Sequence, residues 1–95
     1  MGRSENKVES HIQVRTATAG GKTRKVIYQG QKGAPDQWCF LPGGRLLIIE
    51  AKATDGRLSQ QQADEIEQLK ALGFSAHVAY SKEEVDAIFD AVHPA

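Results

Sequence analysis

The most constraining stretch of this chain is Leu46-Leu47-Ile48-Ile49, an apolar run followed without a turn by Glu50 and Lys52. Alternate residues of a strand share a face. Leu46, Ile48, Glu50 and Lys52 therefore point one way, and Leu47, Ile49 and Ala51 the other. Both faces of the strand body are apolar, the pattern of a central strand covered on each side. An α/β architecture supplies that cover. Glu50 and Lys52 then stand together at the C-terminal end of the strand, where α/β sheets place ligands.

The neighbouring segments fit the same architecture. Ser4 to about Thr18 reads as a helix with Ser4 as N-cap, Glu5 in the first turn, and Val8, Ile12 and Ala19 at helical spacing. Thr16 and Thr18 weaken its last turn, and Gly20-Gly21 ends it. Lys25 to Tyr28 (KVIY) is a short β-prone run, and residues 29–35 are loop. Asp36 to Leu41 and Arg45 to Lys52 form a hairpin around Pro42-Gly43-Gly44. With Gly43-Gly44 as a two-residue turn, Pro42 faces Arg45, Cys39 faces Ile48 and Gln37 faces Glu50. Asp36 then comes beside Glu50 and Ala51.

Ser59 opens a helix to about Leu72, with Ser59-x-x-Gln62 as a capping box and Ala63, Ile66 and Leu69 as its buried stripe. Asp64, Glu65, Glu67 and Lys70 face water. Gly73 ends the helix, and Phe74 makes the contact after it. Ala76 to Tyr80 is a strand. Ser81 caps a last helix whose apolar face is Val85, Ile88, Phe89 and Val92. The order is α-β-β-β-α-β-α, a single domain over 1–95. The crossover through the second helix makes strands 45–52 and 76–80 parallel neighbours.

Composition narrows the function. At 95 residues and 40% hydrophobic, the chain builds one core. No apolar run approaches the roughly 18 residues of a membrane span, and no signal-peptide layout is visible. The single cysteine, Cys39, cannot form an internal disulfide and reads as a buried thiol. An intracellular, reducing compartment is expected. Net charge is zero, but residues 1–33 hold seven Lys or Arg against two acids, a balance of +5. Residues 34–95 hold five against ten, a balance of −5. A basic third beside an acidic remainder suits a phosphate-contacting edge.

Asp36, Glu50 and Lys52 carry the chemistry. Two adjacent carboxylates repel, and one takes up a proton unless a cation lies between them. Mg²⁺ is the natural partner of such oxygens. A lysine just beyond can position a water or stabilise charge on a phosphate. The rival reading makes Glu50 and Lys52 the solvated end of a strand and Asp36 a loop cap. His11, His77 and His93 show no metal-ligand spacing.

Pro35-Asp36, a hairpin, then Glu50-Ala51-Lys52 resembles the PD-(D/E)xK nuclease superfamily, with its restriction-endonuclease-like core of three to four strands in a mixed sheet flanked by helices. More closely it resembles the VRR-NUC (virus-type replication-repair nuclease) domain, through GAPD at 33–36, LPGGRLLIIEAKA at 41–53, GRLSQQQ at 56–62, LKALGF at 69–74 and AHVAYSKEEVDAI at 76–88. The resemblance implies Asp36 and Glu50 as metal-binding acids, completed by the backbone carbonyl of Ala51. It implies Lys52 as the catalytic lysine and Gln62 as the family glutamine. It also implies a first-helix acid, Glu9, with Glu5 one turn earlier as the alternative. Gln37 and Trp38 stand where family members often carry a basic residue. Arg24, Lys25 and Lys32 are the candidate DNA contacts.

The function so implied is a Mg²⁺- or Mn²⁺-dependent DNA endonuclease similar to Holliday-junction resolvases, acting as a homodimer on branched DNA. A viral or bacterial origin fits the size and the resemblance. The alternatives are a non-catalytic nucleic-acid-binding module on this fold, or a nuclease on flap or single-stranded DNA that needs a partner protein.

Overall fold

A computed structural model describes the backbone of residues 3–92 and the side chains of residues 5–92. The side chain of Ser4 and all of His93 fall outside it. The elements are α1 (Arg3–Thr18), β1 (Lys22–Lys25), β2 (Gln37–Leu41), β3 (Arg45–Ala51), α2 (Gln60–Ala71), β4 (Ser75–Ala79) and α3 (Lys82–Val92). They follow the expected order. The strands form one mixed sheet, β1-β2-β3-β4, antiparallel except for the parallel β3–β4 pair.

β3 is the covered strand its apolar run requires. Leu47, Ile49 and Ala51 join Val8 and Ile12 of α1 and Val85 and Phe89 of α3 in the larger core. Ile48 packs with Ile66 and Ala76 on the opposite face, flanked by Trp38, Leu46, Leu69 and Val78. So α1 and α3 cover one face of the sheet and α2 covers the other. Thr16 belongs to the first core. It is fully buried, and its hydroxyl donates to the Ile12 carbonyl at 2.7 Å. That bond satisfies the hydroxyl inside the helix, so Thr16 extends the Val8–Ile12 stripe by a turn.

Two glycines end helices as expected. Gly20 (φ +88°) donates to the Ala17 carbonyl and Gly21 to that of Thr16, each at 2.9 Å. Gly73 (φ +96°) donates to Lys70, and Phe74 to Leu69. Both are Schellman closures, which need a left-handed residue. Ser59 closes the capping box with Gln62 at the start of α2. Ser81 accepts from the Glu84 amide at the start of α3.

Three expectations need correction. The first strand is Lys22–Lys25, ahead of KVIY. Its ladder runs from Lys22 opposite Phe40 to Lys25 opposite Gln37, and Val26 adds one last bond to the Asp36 carbonyl at 2.9 Å. Beyond that the partner is Pro35, which has no N–H. Ile27 and Tyr28 find no strand to pair with, and Ile27 is 83% exposed. Second, Glu65 does not simply face water: its carboxylate accepts from the Tyr28 hydroxyl at 2.8 Å.

The third correction is the hairpin register. Leu41 pairs with Arg45, Cys39 with Leu47 and Gln37 with Ile49. The loop is therefore three residues, Pro42-Gly43-Gly44, with both glycines at positive φ. A one-residue slip moves every side chain to the other face. In the observed register the next pair beyond Gln37–Ile49 is Asp36 with Glu50. The two acids stand directly opposite one another on the same face of the sheet.

Candidate active site

The site lies at the end of the sheet where β1 and β3 finish, β2 begins and α2 starts. Glu50 ends the apolar run of β3, and its side chain is only 8% exposed. Burial is the main reason its carboxyl is pushed up to about 7, with the Asp36 charge adding to it. Lys52 and the Asp36 backbone amide pull the other way, and Glu5 pushes slightly upward. One Glu50 oxygen, Oε2, lies 3.7 Å from Lys52 Nζ and accepts from Gln62 Nε2 at 3.2 Å. The other, Oε1, is fully buried and has no hydrogen-bond partner among the described residues.

Gln62 both closes the capping box and reaches Glu50. Its side-chain oxygen accepts from the Ser59 backbone amide at 2.9 Å, while its own backbone amide donates to Ser59 Oγ at 3.1 Å. The capping box thus fixes which end of the side-chain amide faces the helix start. The NH₂ is left to face Glu50. Lys52 is held from its backbone: its amide donates to the Ala79 carbonyl at 2.9 Å, one step past the β3–β4 ladder. Its side chain is only 17% exposed. Ala51, between the two charges, is buried in the larger core.

Asp36 is set by the turn before it. Pro35 is fully buried, and its carbonyl accepts from Trp38 Nε1 at 2.8 Å. Gly33 has φ +97° and lies so close to α2 that a Cβ there would stand 2.9 Å from the backbone of Gln61. Only glycine fits that approach. Tyr28 ties the preceding segment to α2 through Glu65. Burial raises the Tyr28 hydroxyl to about 12, with the hydrogen bond to Glu65 adding to it. GAPD thus makes a rigid corner, visible in the sequence only as a Gly and a Pro.

Glu9 comes to the same end from α1, beneath the sheet. Burial raises its carboxyl first; Lys25 lowers it, and Asp36 and Glu5 raise it. Lys25 Nζ lies 3.9 Å from Glu9 Oε2 and 3.7 Å from Asp36 Oδ2. Read from the sequence as a DNA contact, Lys25 is placed here against two of the acids. Nothing in the pattern of KTRK signals that, because it depends on where α1 crosses β1. Arg24 points to the other face, opposite Trp38, and donates to the Thr23 carbonyl at 2.9 Å. Lys32 borders an open recess between its loop and Gln61, Asp64, Glu65 and Gln68 of α2. Neither makes a hydrogen bond or ion pair with Glu9, Asp36 or Glu50 among the described residues.

The two described histidines stay outside. His11 Nε2 lies 2.7 Å from Asp86. His77 pairs with Ser75, and burial lowers its pKa. Cys39 is a buried thiol beside Thr16, its pKa raised by burial.

The donor set is hard: the carboxylates, with the Ala51 carbonyl in the backbone between Glu50 and Lys52, are the oxygen ligands that Mg²⁺ and Mn²⁺ take. The unpartnered, buried Glu50 Oε1 is an oxygen that a cation would satisfy. Among the described residues no three acidic, His or Cys side chains already converge into a cage. The acids are instead matched with the chain's own ammonium groups, Lys25 with Glu9 and Asp36, and Lys52 with Glu50.

Comparison with known proteins bears on the family and the fold. The family model of the VRR-NUC domain matches residues 3–83. The chain is 28% identical over 89 residues to a protein named "Putative nuclease p44" from Acyrthosiphon pisum secondary endosymbiont phage 1, covering 94% of this chain and 95% of that protein. A solved structure of a VRR_NUC domain, 28% identical, superposes with a TM-score of 0.87, covering 95% of this chain and 98% of the other.

Proposed function

The chain belongs to the VRR-NUC domain family, a family of nucleases, and on that premise we propose that it cuts DNA internally, with a divalent metal ion, at the site of Asp36, Glu50 and Lys52. The observation that carries this reading is Glu50: a nearly buried carboxylate with one oxygen unpartnered, opposite Asp36 and flanked by Lys52 and Gln62. A charge so enclosed is costly unless a cation or a proton answers it.

Asp36, Glu50 and the Ala51 carbonyl would hold Mg²⁺ or Mn²⁺, with Glu9 supporting from α1. When bound, the ion supplies Lewis acidity toward a phosphate oxygen and lowers the pKa of a neighbouring water. The remaining steps fall to the chain. Lys52, fixed at its backbone by Ala79, holds its ammonium where it orients the attacking water and stabilises charge building on the phosphate. Gln62 keeps Glu50 in one orientation. Arg24 and Lys32, within the basic third of the chain, contact the phosphate backbone on either side.

The substrate we propose is branched DNA, a four-way junction in particular. Cutting it symmetrically takes two sites. A 95-residue domain with one site supplies them as a homodimer. The test is incubation of purified protein with four-way junction, flap, single-stranded and linear duplex DNA in Mg²⁺, Mn²⁺ or EDTA, with light scattering for mass. The expected result is metal-dependent cleavage, fastest on the junction, by a dimer. Binding without cleavage in every metal would make the chain a non-catalytic module. A monomer mass at assay concentration would overturn the dimer.

A further inference from the structure

We infer that Lys25 is a displaceable counter-ion: it answers the charges of Glu9 and Asp36 while no metal is bound, and metal binding to these acids releases it toward the substrate's phosphate. The inference rests on the metal-dependent reading above and adds to it a role for a residue on β1.

Its basis is the contrast between the two lysines of the site. Lys52 is enclosed and pinned from its backbone. Lys25 is 61% exposed and reaches in from solvent over two acids that are more enclosed than it is. Its two contacts, 3.9 Å and 3.7 Å, are both too long for a hydrogen bond. Such a pair is held by charge alone and is weak in water. The ammonium can leave without breaking a hydrogen bond or opening a cavity.

It must leave if a divalent ion is to use the same oxygens. Glu9 and Asp36 come from opposite sides of the sheet end, and Lys25 Nζ occupies the space that bridges them. Two cations in that space would repel strongly. Once released, the flexible four-carbon stem keeps the charge at the rim of the site, where a phosphate oxygen arrives. Metal and phosphate then help each other bind, each removing a competitor of the other, and the coupling is reciprocal.

The test is calorimetric titration of Mn²⁺ alone into the whole protein, wild type against Lys25→Met, with Lys25→Gln as a second variant and far-UV circular dichroism to check folding. Both substitutions remove the competing charge at an exposed position. The expected result is Mn²⁺ binding about threefold to tenfold tighter in both variants, the scale of weak, exposed ion pairs. Binding of a phosphorothioate-protected DNA in saturating Mn²⁺ should at the same time be weaker than in wild type. Mn²⁺ affinity equal to or below that of wild type overturns the inference and leaves the metal reading standing. No Mn²⁺ binding by any of the three proteins overturns both.

Discussion

Glu50 is the residue on which most of the proposed chemistry turns, and its environment makes a prediction that needs no substrate. In the metal-free protein its carboxyl is pushed up to about 7 from an ordinary 4.5. Between those values the folded state holds a proton that the unfolded chain has released. Stability therefore falls as pH rises through that window and levels off above about 7. The whole effect amounts to about 3 kcal/mol at most. Urea denaturation in EDTA should show wild type losing stability between about pH 4.5 and pH 7, and Glu50→Gln losing much less. Parallel curves for the two proteins would mean that Glu50 is solvated after all. The pairing of Glu50 with Lys52 was legible from period-two alternation alone. The place of Lys25 was not, because it depends on a helix crossing a strand some sixteen residues later in the chain.

At the scale of elements, the hairpin decides the site. A two-residue turn at Gly43-Gly44 would set Asp36 opposite Ala51, on the wrong face. The observed three-residue loop sets it opposite Glu50. P-G-G is compatible with either turn, so the sequence could bring the acids into one neighbourhood but could not align them. KVIY shows a different limit. Its β-propensity is real, but a strand needs a partner, and Pro35 ends the ladder. Helix ends were the most legible elements, because Gly20, Gly73, Ser59 and Ser81 carry their own local hydrogen bonds. The corner before Asp36 is testable at this scale. Gly33→Ala forces a Cβ against the Gln61 backbone at a positive φ, which costs about 1–3 kcal/mol. Thermal melts should show that loss. Cleavage measured well below the melting transition should fall further than the lost stability explains, because the corner carries Asp36. A variant equal to wild type in both would show that the loop does not position the acid.

Over the whole molecule, the site depends on α1 staying against the sheet, since α1 carries Glu9. Two sets of contacts join α1 to α3. One is polar: Arg15 reaches Asp86 at 2.7 Å and Asp90 at 2.9 Å, and His11 reaches Asp86. The other is the buried apolar layer of Val8, Ile12, Val85 and Phe89, with Arg15 also stacked 5.2 Å over the Phe89 ring. Exposed ion pairs contribute little in water, so the apolar layer is the stronger clasp. Phe89→Ala should cost about 3–5 kcal/mol, a large share of the stability of so small a domain. Asp86→Asn should shift the denaturation midpoint far less. A reversed order would make the polar network the main fastening. The general plan, one sheet with helices on both faces, was readable from the apolar run of β3 and the βαβ crossover. Which acid on α1 reaches the site was not, because Glu5 and Glu9 differ by only one helical turn, and both influence the carboxylates there.

In the proposed reaction Lys52 acts on the reacting phosphate while Asp36 and Glu50 hold the ion beside it. Single-turnover cleavage of a four-way junction in Mg²⁺ by wild type and Lys52→Met, with DNA binding measured in EDTA, tests it most directly. The expected rate is lower by about 10²–10³ in the variant, with DNA affinity nearly unchanged. A variant that cuts within about threefold of the wild-type rate would contradict it.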